Sequence, residues 1–551
     1  MAVFTACYWA AWPVAEMGFI DDWSYIRSAQ VFAQTGHFVY NGWATAMLGW
    51  QIAWGALFVR LFGFSFMAVK LSTLPLAMAA LFLFHAILVR FGCTPRNAVV
   101  GCLTLGLSPL FLPLAASYMT DIPGVFVIVL CLYCCQRAVS AESQAAAITW
   151  LCAAAASDVV GGTARQIAWL GALVMVPATA IFLRRQRWVL LCGLALWIGS
   201  LAAIFCCMHW FGSQPYSLSE SISIPSPIVS GLVIGFWGIF GELLCLALVV
   251  YPLLMPWLPR LREFSKARLA IVVAILAVWT GFQWVWGWML PWRPHLLVSE
   301  FARARDAGLS PPETSSFFLP TAFRLLLSAV VVATVIALFA ARPKNLRLAA
   351  ILSKRTFWLL GPFSIAYFAI LIPRATVVSA FDRYMLGVMP MAIILLIQFH
   401  QRRIAPNLPA GSVIALVIYA ALAVAGTHDW FAWQRARLAA IDEVLAAGVP
   451  RNQIQGGLEY DGWTQTEDGG HVNNEFIRVP PGAYDPNPKL PHVAADCRLE
   501  FASLTPDVVP KYTVAFRPKP CLAPSNFPPV EFHAWLPPFS RTIVVQKIPG
   551  S

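Results

Sequence analysis

The sequence predicts an all-α polytopic membrane protein carrying a small C-terminal extracytoplasmic α/β domain, and three observations predict it. Of 551 residues, 59% are hydrophobic and only 12% charged, where soluble globular domains carry roughly 25% charged residues. The mean hydropathy is +0.69, and 23 tryptophans add apolar surface that a water-soluble fold could not cover. Third, the apolar residues fall in stretches of about 20, the length that crosses a bilayer. The same arithmetic excludes disorder, coiled coil, collagen and a disulfide-rich mini-domain.

Stretches that qualify as spans begin near residues 2, 66, 97, 122, 145, 167, 188, 228, 269, 319, 356, 384 and 409, thirteen in all, the last ending near Gly426. The stretch at 384–399 is the shortest. Ala46 to Phe64 differs, because Arg60 interrupts it after 14 uncharged residues, Ala46 to Val59. That length suits an interfacial or re-entrant helix. Charge placement tests the assignment independently. If 46–64 does not cross and Met1 starts in the cytoplasm, the inner loops hold 17 Lys and Arg, from Arg90 to Arg403. The longer outer loops then hold ten: Arg27, Arg60, Lys70, Arg165, Arg293, Arg303, Arg305, Arg324, Arg374 and Arg383. Letting 46–64 span would invert every later loop and break the positive-inside rule. The first apolar stretch lacks a basic flank and runs into an acidic loop, so no cleavable signal is expected.

The net charge of +12 serves topology; no basic stripe interleaved with aromatics points to nucleic acid. Residues 1–426 therefore form the expected transmembrane domain, with 20–65 as an outer loop. Residues 427–551 form a polar domain holding 16 of the 40 prolines, placed outside by thirteen crossings. It opens with a helical pattern, Trp430 to Ala447, stopped by Gly448 and Pro450. Strand-like runs follow at Tyr512 to Phe516 and Thr542 to Lys547. Eleven of the 13 cysteines lie in apolar stretches, where thiols act as small hydrophobes. Cys497 and Cys521 lie in polar sequence and either pair in an oxidising compartment or remain as two free thiols.

The first outer loop opens Asp21-Asp22-Trp23-Ser24-Tyr25, and the next outer turn reads Ser117-Tyr118-Met119-Thr120-Asp121-Ile122-Pro123. Both acidic motifs reach one membrane face beside a helix end. Adjacent carboxylates at an apolar mouth repel and lose hydration, so one is expected to hold its proton more tightly. Such a group accepts a proton from an attacking hydroxyl or helps hold a divalent cation. Plainer readings stand beside these: Asp121 as a helix cap before Ile-Pro, and Asp21 and Asp22 as an acidic loop that only aids topology. Arginines are less expected on this side, and Arg165-Gln166, Arg293 with His295, and Arg383-Tyr384 are candidates for gripping a phosphate bidentately. Snorkelling or pairing, for example with Asp382, is the alternative. Glu242 sits midway along a span, where a charge is costly and marks either function or a structural pair.

At these residues the chain resembles the GT-C superfamily of lipid-linked-sugar glycosyltransferases. The nearer likeness is to the bacterial branch around aminoarabinose transferases and protein O-mannosyltransferases (glycosyltransferase families 39 and 83). Asp21-Asp22-x-x-Tyr25, Gly36, Phe38 and the Trp50 to Gly63 segment are similar to that family's first loop. Thr120-Asp121-Ile122-Pro123 is similar to its second acidic motif, and Arg383-Tyr384 followed by Met389-Pro390 to a late Arg-Tyr…Pro element. Trp430 through Trp463 resembles a family extension. The likeness covers residues 1–400 loosely, and order and sidedness carry it. It departs in placing Asp where Glu is common in the acidic pair, and in a start without basic residues.

The resemblance implies transfer of a sugar, with inversion, from a polyprenyl-phosphate donor to a membrane-lipid, cell-envelope glycan or protein hydroxyl. That places the chain in a bacterial inner membrane with its C-terminal domain in the periplasm. Asp21 would be the general base, Asp22 would tune it or hold acceptor, and Asp121 would orient a substrate. Tyr25, Arg165, Gln166, Arg293, His295, Arg383 and Tyr384 would bind substrate or the departing phosphate. The resemblance fixes no cofactor and leaves a divalent metal ion open. No P-loop or dinucleotide fingerprint supports nucleotide-driven chemistry. The polar stretches Ser213–Pro227 and Pro291–Phe318 are candidate lids. Two other readings remain open, a transporter or flippase of lipid-linked saccharides and a polysaccharide polymerase or ligase.

Overall fold

A computed structural model describes residues 1–218, 228–286, 290, 320–340, 353–375, 381–474, 477, 502–516, 518–537 and 539–549. Among these, nine helices are long and apolar enough to cross a membrane: Phe66–Arg90, Asp121–Val139, Gln144–Gly161, Arg187–Ser213, Ile228–Val249, Lys266–Val285, Thr321–Ala340, Lys354–Ala375 and Ala410–Ala446. Their outward faces are apolar, with Phe205, Val229 and Val278 72–75% exposed. Only lipid makes that arrangement stable, so the chain is a multi-pass membrane protein. The other four predicted spans are shorter or broken. Ala2–Ala10 has nine residues, and Met389–Arg403 has fifteen. The stretch from Pro95 is interrupted between Gly106 and Phe111. Gln166–Phe182 passes through a 3-10 turn and a π-helical turn. Asp158, fully buried in the neighbouring helix, accepts the Ala172 N–H at that π-helical turn. Hydropathy averaged over a span-length window passes over these breaks, because a Ser108-Pro109 pair or a single Gln166 hardly lowers the mean of its apolar neighbours.

The interfacial assignment for 46–64 can be read from its neighbours. The Gly49–Phe62 helix is absent from the spanning set. Trp50 donates its indole N–H to Gly161 O at 3.1 Å, Gln51 donates to Tyr118 O at 2.9 Å, and Trp54 donates to Ser72 O at 2.7 Å. Gly161 ends one helix of an antiparallel pair and Tyr118 precedes the other, so all three anchors lie at one end of the bundle. The first turns of the helix are fastened to that end. Gly55 makes the approach possible, because a Cβ there would meet the Tyr118 hydroxyl, which itself donates to Gln51 O.

The composition change at 427 falls inside a continuous 37-residue helix, Ala410–Ala446. Its polar half packs back on the first loop. Gln434 donates to Gly18 O at 3.1 Å, and Arg435 to Val14 O at 2.9 Å. Arg437, fully buried, pairs with Glu459 at 3.0 Å and lies over Trp433 at 4.4 Å. Lys70 was expected in an outer loop; it is buried instead, donating to Met17 O, 5.3 Å over the Phe431 ring. Removing one member of such a buried pair costs about 3–5 kcal/mol.

A small sheet follows, built from β1 (Ile454–Gln455), β2 (Tyr512–Ala515), β3 (Ala523–Pro524), β4 (Val530–His533) and β5 (Ser540–Lys547). The order is β1-β2-β5-β3, with β4 also on β5. β1 and β2 are parallel, and β2 and β5 antiparallel with Val514 opposite Val545. The sheet is tied to the long helix by Asp429, whose carboxylate accepts the N–H groups of Trp535 and Leu536 at 2.6 and 2.9 Å. Cys521 is disulfide-bonded, while Cys497, residues 219–227 of the first candidate lid, the whole of the second (Pro291–Phe318) and the Pro-rich 478–501 stretch lie outside the described residues.

Candidate active site

The two acidic motifs meet. Asp21 sits at the N-terminus of the Asp22–Thr35 helix, and Asp121 opens the Asp121–Val139 helix. The guanidinium of Arg383, on a 3-10 turn Asp382–Gly387, lies between them, 3.5 Å from Asp21 Oδ2 and 3.8 Å from Asp121 Oδ2. Arg165 pairs with the other Asp121 oxygen at 3.0 Å and donates to Thr120 Oγ1 at 3.0 Å. Its side chain crosses Gly124, where a Cβ would stand 2.7 Å from Arg165 Cδ; the glycine admits the arginine. The burial of this cluster makes its Coulombic attraction stronger than at an exposed surface.

Exposure separates the three carboxylates. Asp21 retains 20% of its side-chain surface, Asp121 1% and Asp22 none. Asp22 is committed to the backbone, accepting the Phe19 N–H with one oxygen and the Tyr118 N–H at 2.8 Å with the other. It therefore joins the first acidic loop to the second through two backbone donors, a bracing position beside Asp21. Asp121 is not a cap either: the helix has no side-chain capping bond at Thr120, and the carboxylate faces arginines instead. Ile20, directly before Asp21, is held at φ +57°. A β-branched residue there stores about 1–3 kcal/mol, which the Asp22 clamp and the buried Phe19 against Trp430 and Phe431 hold in place.

Aromatic groups line the same cluster. Tyr25 is buried within the field of Asp21, Asp121, Arg165 and Arg383, and burial pushes its phenol well above the usual tyrosine range. The Tyr384 ring has Arg165 on it at 5.7 Å and Arg374 also at 5.7 Å. Tyr367 donates to Tyr384 O at 2.5 Å, and the Trp43 indole donates to Asp21 Oδ1 at 3.1 Å. Arg374, Tyr367 and Trp43 escape a sequence reading because no local motif joins them to the acidic turns. Gln166 donates to Thr45 O at 3.1 Å, bracing the loop beside the cluster. Arg293 and His295 lie outside the described residues. Asp382 does not pair through the Arg383 guanidinium; its Oδ1 accepts the Arg383 backbone N–H at 2.7 Å. Glu242, buried in its span, feels the Asp382 charge.

Burial also pushes the Asp22 carboxyl up to about 6, partly offset by Lys70 and its two backbone donors. Unfolded carboxylates titrate near ~4. Asp22 thus contributes most stability below that range and loses it as pH rises to about 6. The thermal midpoint of the wild type, measured against Asp22→Asn, falls over that window and levels above it. A gap that ignores pH would contradict the burial of this carboxyl. No group of three or more His, Cys, Asp or Glu able to hold a metal occurs among the described residues. Asp21 and Asp121 face the guanidinium groups of Arg383 and Arg165.

Behind the site, the Leu458–Asp468 helix supports Trp23. A Cβ on Gly462 would lie 2.6 Å from a ring carbon of the fully buried Trp23. Gly462→Ala is expected to cost about 1–3 kcal/mol through overpacking, visible as a lowered thermal midpoint in detergent. An unchanged midpoint would show that this contact does not brace the loop.

The fold and site define a helical membrane protein with a carboxylate–guanidinium cluster at one end of its bundle. No family model matches the chain, and no curated protein matches it. Among solved structures it is similar to ArnT from Cupriavidus metallidurans. The apo form shares 14% identity at a TM-score of 0.35, over 83% of this chain and 82% of that one. The form bound to undecaprenyl phosphate shares 16% at 0.38, over 100% and 97%. It is also similar to the oligosaccharyltransferase AglB from Archaeoglobus fulgidus, in complex with an inhibitory peptide and a dolichol-phosphate, at 15% identity and a TM-score of 0.41, over 92% of this chain and 64% of that one.

Proposed function

We propose that the chain is a membrane glycosyltransferase that moves a sugar from a polyprenyl-phosphate donor to an acceptor hydroxyl at the extracytoplasmic face. One observation carries the reading. A partly open carboxylate, Asp21, stands beside a cluster in which the guanidiniums of Arg165 and Arg383 converge on the buried Asp121. In the reaction, Asp21 takes the proton of the acceptor hydroxyl. The acceptor oxygen bonds to the anomeric carbon as the bond from that carbon to the phosphate oxygen breaks. A single displacement inverts the centre. The polyprenyl phosphate leaves with an added negative charge, which Arg165 and Arg383 neutralise. Asp121 acts as a positioning residue that holds both guanidiniums at the spacing a phosphate needs.

The donor's lipid tail explains the location. A chain soluble only in the bilayer has to reach the site sideways, and this cluster sits at helix ends beside an interfacial helix. A purified-protein assay with a polyprenyl-phosphate sugar tests the reading. Labelled sugar should appear on an acceptor; movement of intact donor between leaflets without transfer would favour a transporter instead.

A further inference from the structure

A cavity of about 410 Å³ lies between the first loop and the C-terminal segment, lined by Glu16 and Phe64 from the former and by Asp442, Arg451, Tyr460 and Glu467 from the latter. Tyr460 is 3% exposed, yet its hydroxyl has no hydrogen-bond partner. A buried hydroxyl left unmatched costs about 1–3 kcal/mol, a cost that a hydroxylated ligand in the cavity relieves. The Arg451 guanidinium lies 4.5 Å over the Tyr460 ring, donates to Thr464 Oγ1 at 2.9 Å and is 3.8 Å from Glu467. The Phe64 ring is stacked on Trp463 at 5.7 Å and 9° and remains 37% exposed. It is a flat apolar platform, braced from one side.

The charge on these walls selects among ligands. Glu16, Asp442 and Glu467 outnumber the one guanidinium, so the cavity is net negative, the opposite of the Arg165–Arg383 cluster. Glu16 already accepts the Phe66 and Met67 N–H groups and Glu467 pairs with Arg451, which leaves Asp442 as the carboxylate that selects a ligand. A phosphate or carboxylate is repelled here, whereas hydroxyls and an ammonium group are welcome. An aromatic platform beside carboxylates and an unmatched phenol is the chemistry that grips a sugar ring, apolar face on the ring and hydroxyls at the edge.

We propose that this cavity is a saccharide subsite that holds an unphosphorylated sugar of the acceptor, amino sugars above all, stacked on Phe64 and hydrogen-bonded to Tyr460 and Asp442. The proposal rests on the glycosyl-transfer reading and narrows its acceptor class to glycans. The placement suits it. Arg27 lies 5.5 Å over Trp463 and belongs to the same helix that begins at Asp21, about 9 Å away along the axis. A glycan seated in the cavity is therefore registered against the base through one rigid element.

Saturation-transfer NMR on the full chain in detergent, without donor, reads the cavity separately from catalysis. Glucosamine and glucose should receive saturation, with glucosamine the tighter, and glucosamine 6-phosphate should bind at least about tenfold more weakly. Tyr460→Phe, which removes one hydroxyl and no structural bond, should raise Kd about fivefold. Asp442→Asn should erase the preference for glucosamine over glucose. Failure of all three sugars to bind, equal binding of the phosphorylated sugar, or unchanged affinity in both variants overturns the proposal. Sugar binding in a protein that transfers from no polyprenyl-phosphate donor would sustain the cavity and reject the transferase reading. Transfer without sugar binding would do the reverse.

Discussion

Arg383→Ala should weaken binding of polyprenyl phosphate about 10- to 100-fold, the value of one or two charge-assisted hydrogen bonds, and change the acceptor KM far less. The expectation follows from its place between Asp21 and Asp121. Truncation removes half of the positive charge that faces the leaving phosphate and leaves Asp121, almost wholly buried, to Arg165 alone. Part of any loss could therefore be structural. Arg383→Lys separates the two effects, since it keeps the charge and gives up the bidentate fork. Lysine should restore the thermal midpoint while recovering only part of the donor affinity. Equal losses for donor and acceptor in the alanine variant would count against a phosphate clamp.

Asp21→Asn should lower transfer about 10²- to 10⁴-fold, the usual value of a positioned general base, with expression and donor binding largely intact. The amide keeps the volume of the side chain and can still accept the Trp43 indole N–H. It cannot take a proton. Asp22→Asn provides the contrast, because that carboxylate is buried and holds two backbone N–H groups. Its substitution should appear first in stability. An Asp21→Asn protein that still turns over would reject the base assignment, and an Asp22→Asn protein that is stable but inactive would exchange the two roles.

Much of this organisation is legible in the sequence because it is set by local rules. Hydropathy marks all nine long spanning helices, and Arg60 after a 14-residue apolar run marks the interfacial one. Lys and Arg counts bring Asp21, Asp121, Arg165 and Arg383 to one face, where they stand in contact. What stays hidden depends on three-dimensional packing. Asp21 and Asp22 are adjacent, and nothing local says that one faces a cleft while the other is sealed against Tyr118. Thr120-Asp121-Ile-Pro reads as an ordinary helix start, and only the arginines arriving from later segments turn Asp121 inward. Lys70 looks like a loop cation, but the carbonyls of residues 15–17 and the Phe431 ring draw it into the core. The helix through residue 427 conceals the composition boundary, since backbone hydrogen bonding continues whether the side chains meet lipid or protein. Trp43, Tyr367 and Arg374 carry no motif at all.

The central claim is that Asp21 and the Arg383 guanidinium, 3.5 Å apart, together meet a polyprenyl phosphate. Single-cysteine variants at 21 and 383, made in a chain whose eleven free cysteines among the described residues are replaced, can be challenged in sealed vesicles with a membrane-impermeant maleimide. The account predicts that both react from the same side and that added polyprenyl phosphate slows both. Labelling from opposite sides, or rates indifferent to the lipid phosphate, would contradict it.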